Sequence, residues 1–402
     1  MTREFMMNDS PNILLFIPDG GGPNLDGPAA DAINVAQSFA RAEIPSIFVF
    51  NGHPDVFRRF EEAGVDVRRM EMPVPGVKQH FNPLYRRRFA RQLSNFIKDE
   101  SIDVLHLGQG GTYILNYLKN SDILKVCVQL GATPDFRPIG LFDGGVRLHP
   151  KYLLKSWYRK YVRLSYKRAD LVLCISDAAS EAAIRTFQIK PERIVVVRPG
   201  ITGQLGKSKR GEIRREFGIG ADEKVVLSVG RITKAKGVED VGVVASMLAS
   251  RRKNYRFLFA GQERDETYGR MVRQKYGQFV TFIGHRPDMA NVYADADLLV
   301  HLSHREGSPL VVIEALEFGV PTVAWDIPGI SEDVDDGITG RTVPFGDHLA
   351  AADAIQQVID RPAELERLGA AARARFSEFS IDDYSGRILA AYENRRQVIA
   401  AA

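Results

Sequence analysis

"DLLVHLSHREGSPLVVIEALEFGVPTVAWD", residues 297–326, contains one complete unit of the fold. It opens with an apolar run (297–303) and closes with another (321–326). Between them lies a segment of helix length, rich in aliphatics. Runs that are apolar with little alternation belong to strands covered on both faces, and two such strands joined through a helix form a parallel crossover unit. Ser308-Pro309 reads as the helix start, with Ser308 as N-cap and Pro309 at the first helical position, where a missing N–H costs nothing. Gly319, just before Pro321, reads as the stop, so the expected helix is about ten residues long.

The same alternation continues in both directions. Ahead of residue 200, strand candidates lie at 12–18, 46–50, 65–70, 103–108, 125–130, 171–176 and 193–198, with helical segments at 28–42, 84–99, 150–168 and 177–187. Beyond it, further strands are expected at 224–230, 256–261, 279–284, 297–303 and 321–326, most of them ending in a glycine or small residue. The stretch PGITGQLGKSKRGE (199–212) interrupts the pattern with Gly, Ser and Lys. A chain of 402 residues fits about two domains. The expectation is an α/β protein with two Rossmann-like domains of parallel sheet, 1–199 and 200–378. Residues 379–402 form one more helix, and periodicity leaves open whether it stays with the second domain or returns to the first.

The net charge of +4 is too small to argue for nucleic acid. It is also uneven: residues 1–200 hold 27 Lys+Arg against 21 Asp+Glu, a balance of +6, and residues 201–402 hold 27 against 29, a balance of −2. Cys127 and Cys174 each sit inside an apolar run. They read as reduced core thiols in a cytoplasmic protein, not as a disulfide framework or metal site. The first apolar run is too short for a secretory signal, and no stretch approaches the ~20 apolar residues that cross a bilayer.

Two carboxylates disturb the apolar stretch quoted above. Glu306 stands just before the helix and Glu314 inside it, and a carboxylate among aliphatics is costly unless something pairs with it. Either these glutamates have protein partners or they await a ligand. The free N–H groups at the helix start, near Leu310 and Val311, suit an anion such as a phosphate, although an acid at that place is also an ordinary capping device. In SVGRITKAKG (228–237) a strand ends at Gly230, and Arg231 and Lys236 follow on a short polar loop. Two cations at a strand's carboxyl edge make a clamp for a diphosphate, although surface charge alone explains most such pairs. Near the start, Gly20, Gly21 and Gly22 link a strand to a helix, a layout by which backbone amides approach a phosphate. It is neither a Walker A loop nor a clean dinucleotide fingerprint, and an ordinary flexible turn would look the same.

Taken together, these places resemble the retaining glycosyltransferases of family 4, which have the GT-B fold: two Rossmann-like domains whose parallel sheets face each other across a cleft. The family's E-x7-E element corresponds to Glu306 and Glu314, its GR-x4-K element to Arg231 and Lys236, and its glycine loop to Gly20–Gly22. Weaker echoes lie at 293–303, 328–347 and 379–392. The resemblance implies a transferase for which a nucleotide-diphosphate sugar is the donor substrate, with no further cofactor and no metal. Asp295 and Asp297 have the spacing of a metal motif but read as structural. By the same resemblance, Arg231 and Lys236 hold the diphosphate, and Glu306 reads donor-sugar hydroxyls. The amides of Gly307, Ser308, Pro309 and Leu310 surround sugar and phosphate, Glu314 binds the ribose, and the segment ending at Arg286 meets the base.

One departure concerns a histidine that the family carries after the fifth strand of the first domain. Here that place reads VQLGATPD (128–135), with Gln129 or Leu130 where the histidine would stand. His106 belongs to an earlier strand and reads as packed. The acceptor-side candidates are therefore Asp135, Arg137 and Asp143. The acceptor itself is a glycan, a lipid-linked or a small molecule. Residues 74–93 interleave Arg86, Arg87, Arg88 and Arg91 with Phe81, Leu84, Tyr85 and Phe89. A basic amphipathic helix over 78–98 reads as a peripheral contact with the inner membrane face or an anionic acceptor, and a solvated helix face explains it equally well. The alternatives in function are a sugar phosphorylase or epimerase of the same fold, and a non-catalytic subunit that binds a nucleotide sugar.

Overall fold

A computed structural model describes residues 11–18, 27–51, 57–58, 60–61, 67–68, 83–108, 112–116, 118, 122–131, 162–203, 205–251, 254–263 and 265–401. The chain divides into two compact units, Met1–Gly200 together with Ile381–Ala402, and Ile201–Ser380.

The first unit is built on a seven-stranded sheet in the order β3-β2-β1-β4-β5-β6-β7. Its strands are β1 (Ile13–Pro18), β2 (Ser46–Asn51), β3 (Val67–Arg68), β4 (Val104–Leu107), β5 (Leu124–Gln129), β6 (Leu171–Cys174) and β7 (Ile194–Val196). Every pairing is parallel. Strands β4 and β6 are buried throughout, as runs without alternation require. One face carries Phe89, Leu93 and Ile97 of the Pro83–Asp99 helix and Phe187 of the Asp177–Phe187 helix. The other carries Val35 and Phe39 of the Gly27–Arg41 helix, and with them Tyr384, Ile388 and Tyr392 of the last helix, Ile381–Ala400. The tail thus returns to the first unit.

The second unit has a six-stranded parallel sheet in the order β10-β9-β8-β11-β12-β13, made of β8 (Lys224–Val229), β9 (Tyr255–Ala260), β10 (Val280–Gly284), β11 (Leu298–His301), β12 (Thr322–Asp326) and β13 (Gly340–Pro344). Both three-strand orders 3-2-1 and 10-9-8 reverse at β1–β4 and β8–β11, the crevice at which doubly wound sheets take ligands. Strand β13 is the one element of this sheet absent from the sequence expectation. It is an edge strand paired to β12 alone, and its five residues, GRTVP, include polar Arg341 and Thr342.

The helix after β11 differs from expectation at its start. It spans Leu310–Glu317, eight residues, with Pro309 at the cap position and no side-chain cap. Ser308 does not cap it, because its hydroxyl donates instead to the buried Asp333 carboxylate at 2.7 Å. The end is as read: Gly319 N–H donates to Leu316 O and Val320 N–H to Ala315 O, the two bonds of a Schellman motif. Val312 and Ala315 pack under the sheet while Ile313 and Leu316 face Ala372 and Phe379, so the helix is buried on both sides. Val312, Ile313 and Leu316 each contribute about 1.5–3 kcal/mol by leaving water.

Candidate active site

In the second unit, the carboxyl ends of β8 and β11 bring Lys236, His301 and Glu306 together. Lys236 Nζ lies 2.5 Å from Glu306 Oε1, and His301 Nε2 lies 3.1 Å from that same oxygen. Among the described residues the second carboxylate oxygen, Oε2, has no partner, and it is not sealed from solvent. Burial raises the Glu306 pKa, but the His301 hydrogen bond and the Lys236 ammonium reverse that and hold it down at about 2. Glu306 is therefore a fixed anion with one oxygen engaged and one open.

The backbone supplies this geometry. Lys236 ends a short turn, Lys234–Lys236, and Gly237 follows with φ 63. A Cβ at Gly237 would come within 1.9 Å of the Leu302 carbonyl oxygen, so only glycine lets the lysine loop lie against the end of β11. Ala235 O accepts from His304 N at 2.9 Å and from Ser303 Oγ at 3.0 Å, which ties the two loops together. Asp240 adds a third tie, with its two oxygens 2.7 Å from His304 Nε2 and 2.7 Å from His348 Nε2. On the far side Gly329 presses on the Glu306 and Gly307 carbonyls, where a Cβ would meet oxygen at 2.6 Å.

Arg231 is exposed and has neither ion pair nor hydrogen bond among the described residues. The N–H groups of Leu310 and Val311 likewise find no partner there. Free amides at a helix N-terminus together with an unpaired guanidinium attract an anion. Glu314 lies one turn further into the helix, where the Tyr293 hydroxyl donates to its Oε2 at 2.7 Å. Burial raises its carboxyl to about 7, opposed by the Tyr293 hydrogen bond. Its Oε1 is open among the described residues.

Other candidates are placed differently. Arg286 donates twice to Glu216, at 2.6 and 2.8 Å, and twice to Asp288, both at 2.8 Å. Its guanidinium is engaged within the protein, which leaves the backbone of this segment as the part that could meet a base. Asp295 caps the turn at 211–214 through three backbone N–H groups. Asp297 pairs with Arg214 and Lys224. Both are structural, as their place before a strand implied. Gln129 is buried, accepts from the Tyr166 hydroxyl at 2.6 Å and donates to Gly131 O at 2.7 Å, so it is a scaffold residue. His106 is a packed strand residue facing the Tyr392 hydroxyl at 2.5 Å. Gly20, Gly21 and Gly22, Asp135, Arg137 and Asp143, and residues 78–82 of the basic segment lie outside the described residues. Sequence reading missed His301, because one histidine at the end of an apolar strand looks like core.

Two doubly wound parallel sheets, the second holding an acid and cation group at its switch point, define a glycosyltransferase of the GT-B class. Residues 26–203 match the model for "Glycosyltransferase Family 4" and residues 209–375 that for "Glycosyl transferases group 1". The chain belongs to the family 4 glycosyltransferases. It is 29% identical to the D-inositol 3-phosphate glycosyltransferase of Actinosynnema mirum over 57% of this chain and 58% of that protein. It is 28% identical to the alpha-D-kanosaminyltransferase of Streptomyces kanamyceticus over 51% of this chain and 55% of that one. The aligned part thus spans little more than half the length of these relatives. HepE of Anabaena, solved in complex with UDP, shares the fold with a TM-score of 0.76 at 18% identity, covering 95% of this chain and 100% of that chain. Among the described residues no helix is long and apolar enough to cross a membrane.

Proposed function

We propose that this protein moves a sugar from a nucleoside-diphosphate sugar to an acceptor hydroxyl, with retention at the anomeric carbon. The observation that carries the reading is Glu306. It is held ionised by Lys236 and His301 through one oxygen, with the other left open; the free Leu310 and Val311 amides follow it in the chain, and the exposed Arg231 follows the end of β8. Such a group reads hydroxyls, and the amides and cations beside it suit the diphosphate to which those hydroxyls are attached. Glycosyl transfer needs that diphosphate to leave as a stabilised group. Preorganised positive charge at the leaving group is worth about 100-fold or more in rate per donor. This reading gives the task to Arg231, Lys236 and the Leu310 and Val311 amides and needs no further cofactor or metal. Glu314, with an open oxygen one turn along, takes the ribose diol.

The acceptor side is assigned to the first unit. The Pro83–Asp99 helix displays Arg87, Arg88 and Arg91 on its exposed side, together with Leu84, 73% exposed. We infer that this side meets an anionic acceptor or the headgroups of the inner membrane face, with the protein itself cytoplasmic. Gln129 is an amide and not a base, so this reading passes the proton of the acceptor hydroxyl to another group, for which Asp135 and Asp143 are the candidates.

The test is turnover of UDP- and GDP-sugars by the wild type, Lys236→Ala and Glu306→Gln. Both variants should keep the wild-type circular dichroism and lose about 100-fold or more in kcat/KM. Undiminished turnover in either variant would sink the assignment. Nucleotide binding without transfer to any acceptor would instead favour a non-catalytic subunit, and turnover with inorganic phosphate alone a phosphorylase.

A further inference from the structure

We propose that His301 is a positioning residue for the donor sugar: its Nε2–H fixes the Glu306 carboxylate so that Oε2 faces the substrate. The inference rests on the donor-site reading above and adds to it a residue outside both sequence elements of the site. His301 ends β11 and is 3% exposed. Along β11, Leu298 and Val300 face one core and Leu299 the other, so His301 points to the side covered by the Leu310–Glu317 helix. Its Nε2 is 3.1 Å from Glu306 Oε1. An ionised carboxylate only accepts hydrogen bonds, so Nε2 carries the proton and donates.

The need for a second donor follows from what Lys236 has to do. Its ammonium is 2.5 Å from Glu306 Oε1. A diphosphate in the clamp competes for that ammonium, which sits on a flexible stem with rotatable donors. If Lys236 were the sole tether, the carboxylate would swing whenever the phosphate arrived, at the moment when the sugar needs to be held. His301 has a short, stiff side chain packed in the core, and its bond to Oε1 persists while Lys236 turns. The carboxylate plane, and with it the direction of Oε2, is set by the histidine. The mixed chemistry of the pair is the signature: a mobile cation shared with the ligand and an immobile ring N–H donor kept by the protein.

The test compares ligands with and without the sugar. Dissociation constants for UDP, UDP-glucose, GDP and GDP-mannose are measured by calorimetry on the wild type, His301→Phe and His301→Gln. Phe keeps a planar ring without a donor; Gln places an amide N–H near the Nε2 position. For the sugar nucleotide that the wild type prefers, His301→Phe should weaken binding roughly 10- to 100-fold, the span of a charge-assisted hydrogen bond, and leave the parent diphosphate within about twofold. His301→Gln should restore most of the loss. Equal affinity of His301→Phe and wild type for the sugar nucleotide overturns the proposal. So does an equal loss for diphosphate and sugar nucleotide, which marks a merely structural histidine, and so does failure of His301→Gln to rescue. A wild type that prefers no sugar nucleotide over its diphosphate removes the donor-site reading itself, and this inference with it.

Discussion

Burial raises the cost of ionising Glu306 and Glu314 alike, yet their carboxyls settle at about 2 and about 7. The difference lies in their partners: Glu306 has a histidine and a lysine, Glu314 a single tyrosine hydroxyl. The signs follow. The stabilisation from Glu306 is present above its ordinary value near 4.5 and is lost as pH falls toward 2. Glu314 costs nothing below that value and destabilises progressively as pH rises toward 7. Glu306 therefore stays charged across physiological pH, and Glu314 is the one of the two glutamates that titrates there. Because a ribose diol donates to a carboxylate, affinity for the preferred nucleotide should tighten about tenfold between pH 6 and pH 8. Glu314→Gln should flatten that profile. A Glu314→Gln enzyme with the wild-type pH profile would show that another group titrates.

The last helix, Ile381–Ala400, is where an element depends on distant residues. Its Tyr384 hydroxyl donates to buried Asp31 at 3.1 Å, and its Tyr392 meets buried His106. Burial pushes Asp31 up to about 7, the Tyr384 hydrogen bond opposing, and burial pushes His106 down to about 4. Ionising Asp31 thus destabilises the first unit as pH rises from its ordinary value near 3.8 through 7, while protonating His106 does so as pH falls from 6.5 toward 4. Asp31→Asn keeps an acceptor for Tyr384 and removes the charge. It should raise the melting temperature at pH 8 and bring no gain at pH 4; a gain independent of pH would contradict the burial argument. This helix was legible as a helix, but its destination was not, because Asp31 and Tyr384 are separated by 353 positions and the pairing leaves no local pattern. Strands β1, β4, β8 and β11 were readable for the opposite reason, since burial on both faces writes itself into continuous apolar runs. The start of the Leu310–Glu317 helix was misread because Ser308 satisfies Asp333 in place of its own helix. The Glu306, Glu314, Arg231 and Lys236 frame was visible from spacing. That Arg286 is saturated, and that His301 joins Glu306, required the contacts.

At the scale of the molecule, the first unit is made from both ends of the chain and the second from one continuous stretch. A fragment of residues 201–380 should unfold cooperatively by calorimetry. A fragment of residues 1–200 should not, because it lacks Tyr384, Ile388, Ala391 and Tyr392 from its core, and supplying 381–402 as a peptide should restore a transition. Cooperative melting of 1–200 alone would contradict the role given to the last helix.

The most direct measurement is a crystal structure with the sugar nucleotide that gives the largest thermal shift. The diphosphate should lie within hydrogen-bond reach of Lys236, Arg231 and the Leu310 and Val311 amides, with the ribose on Glu314 and a sugar hydroxyl on Glu306 Oε2. Ligand density elsewhere on the second unit, with Glu306 still bound only to Lys236 and His301, would contradict the account.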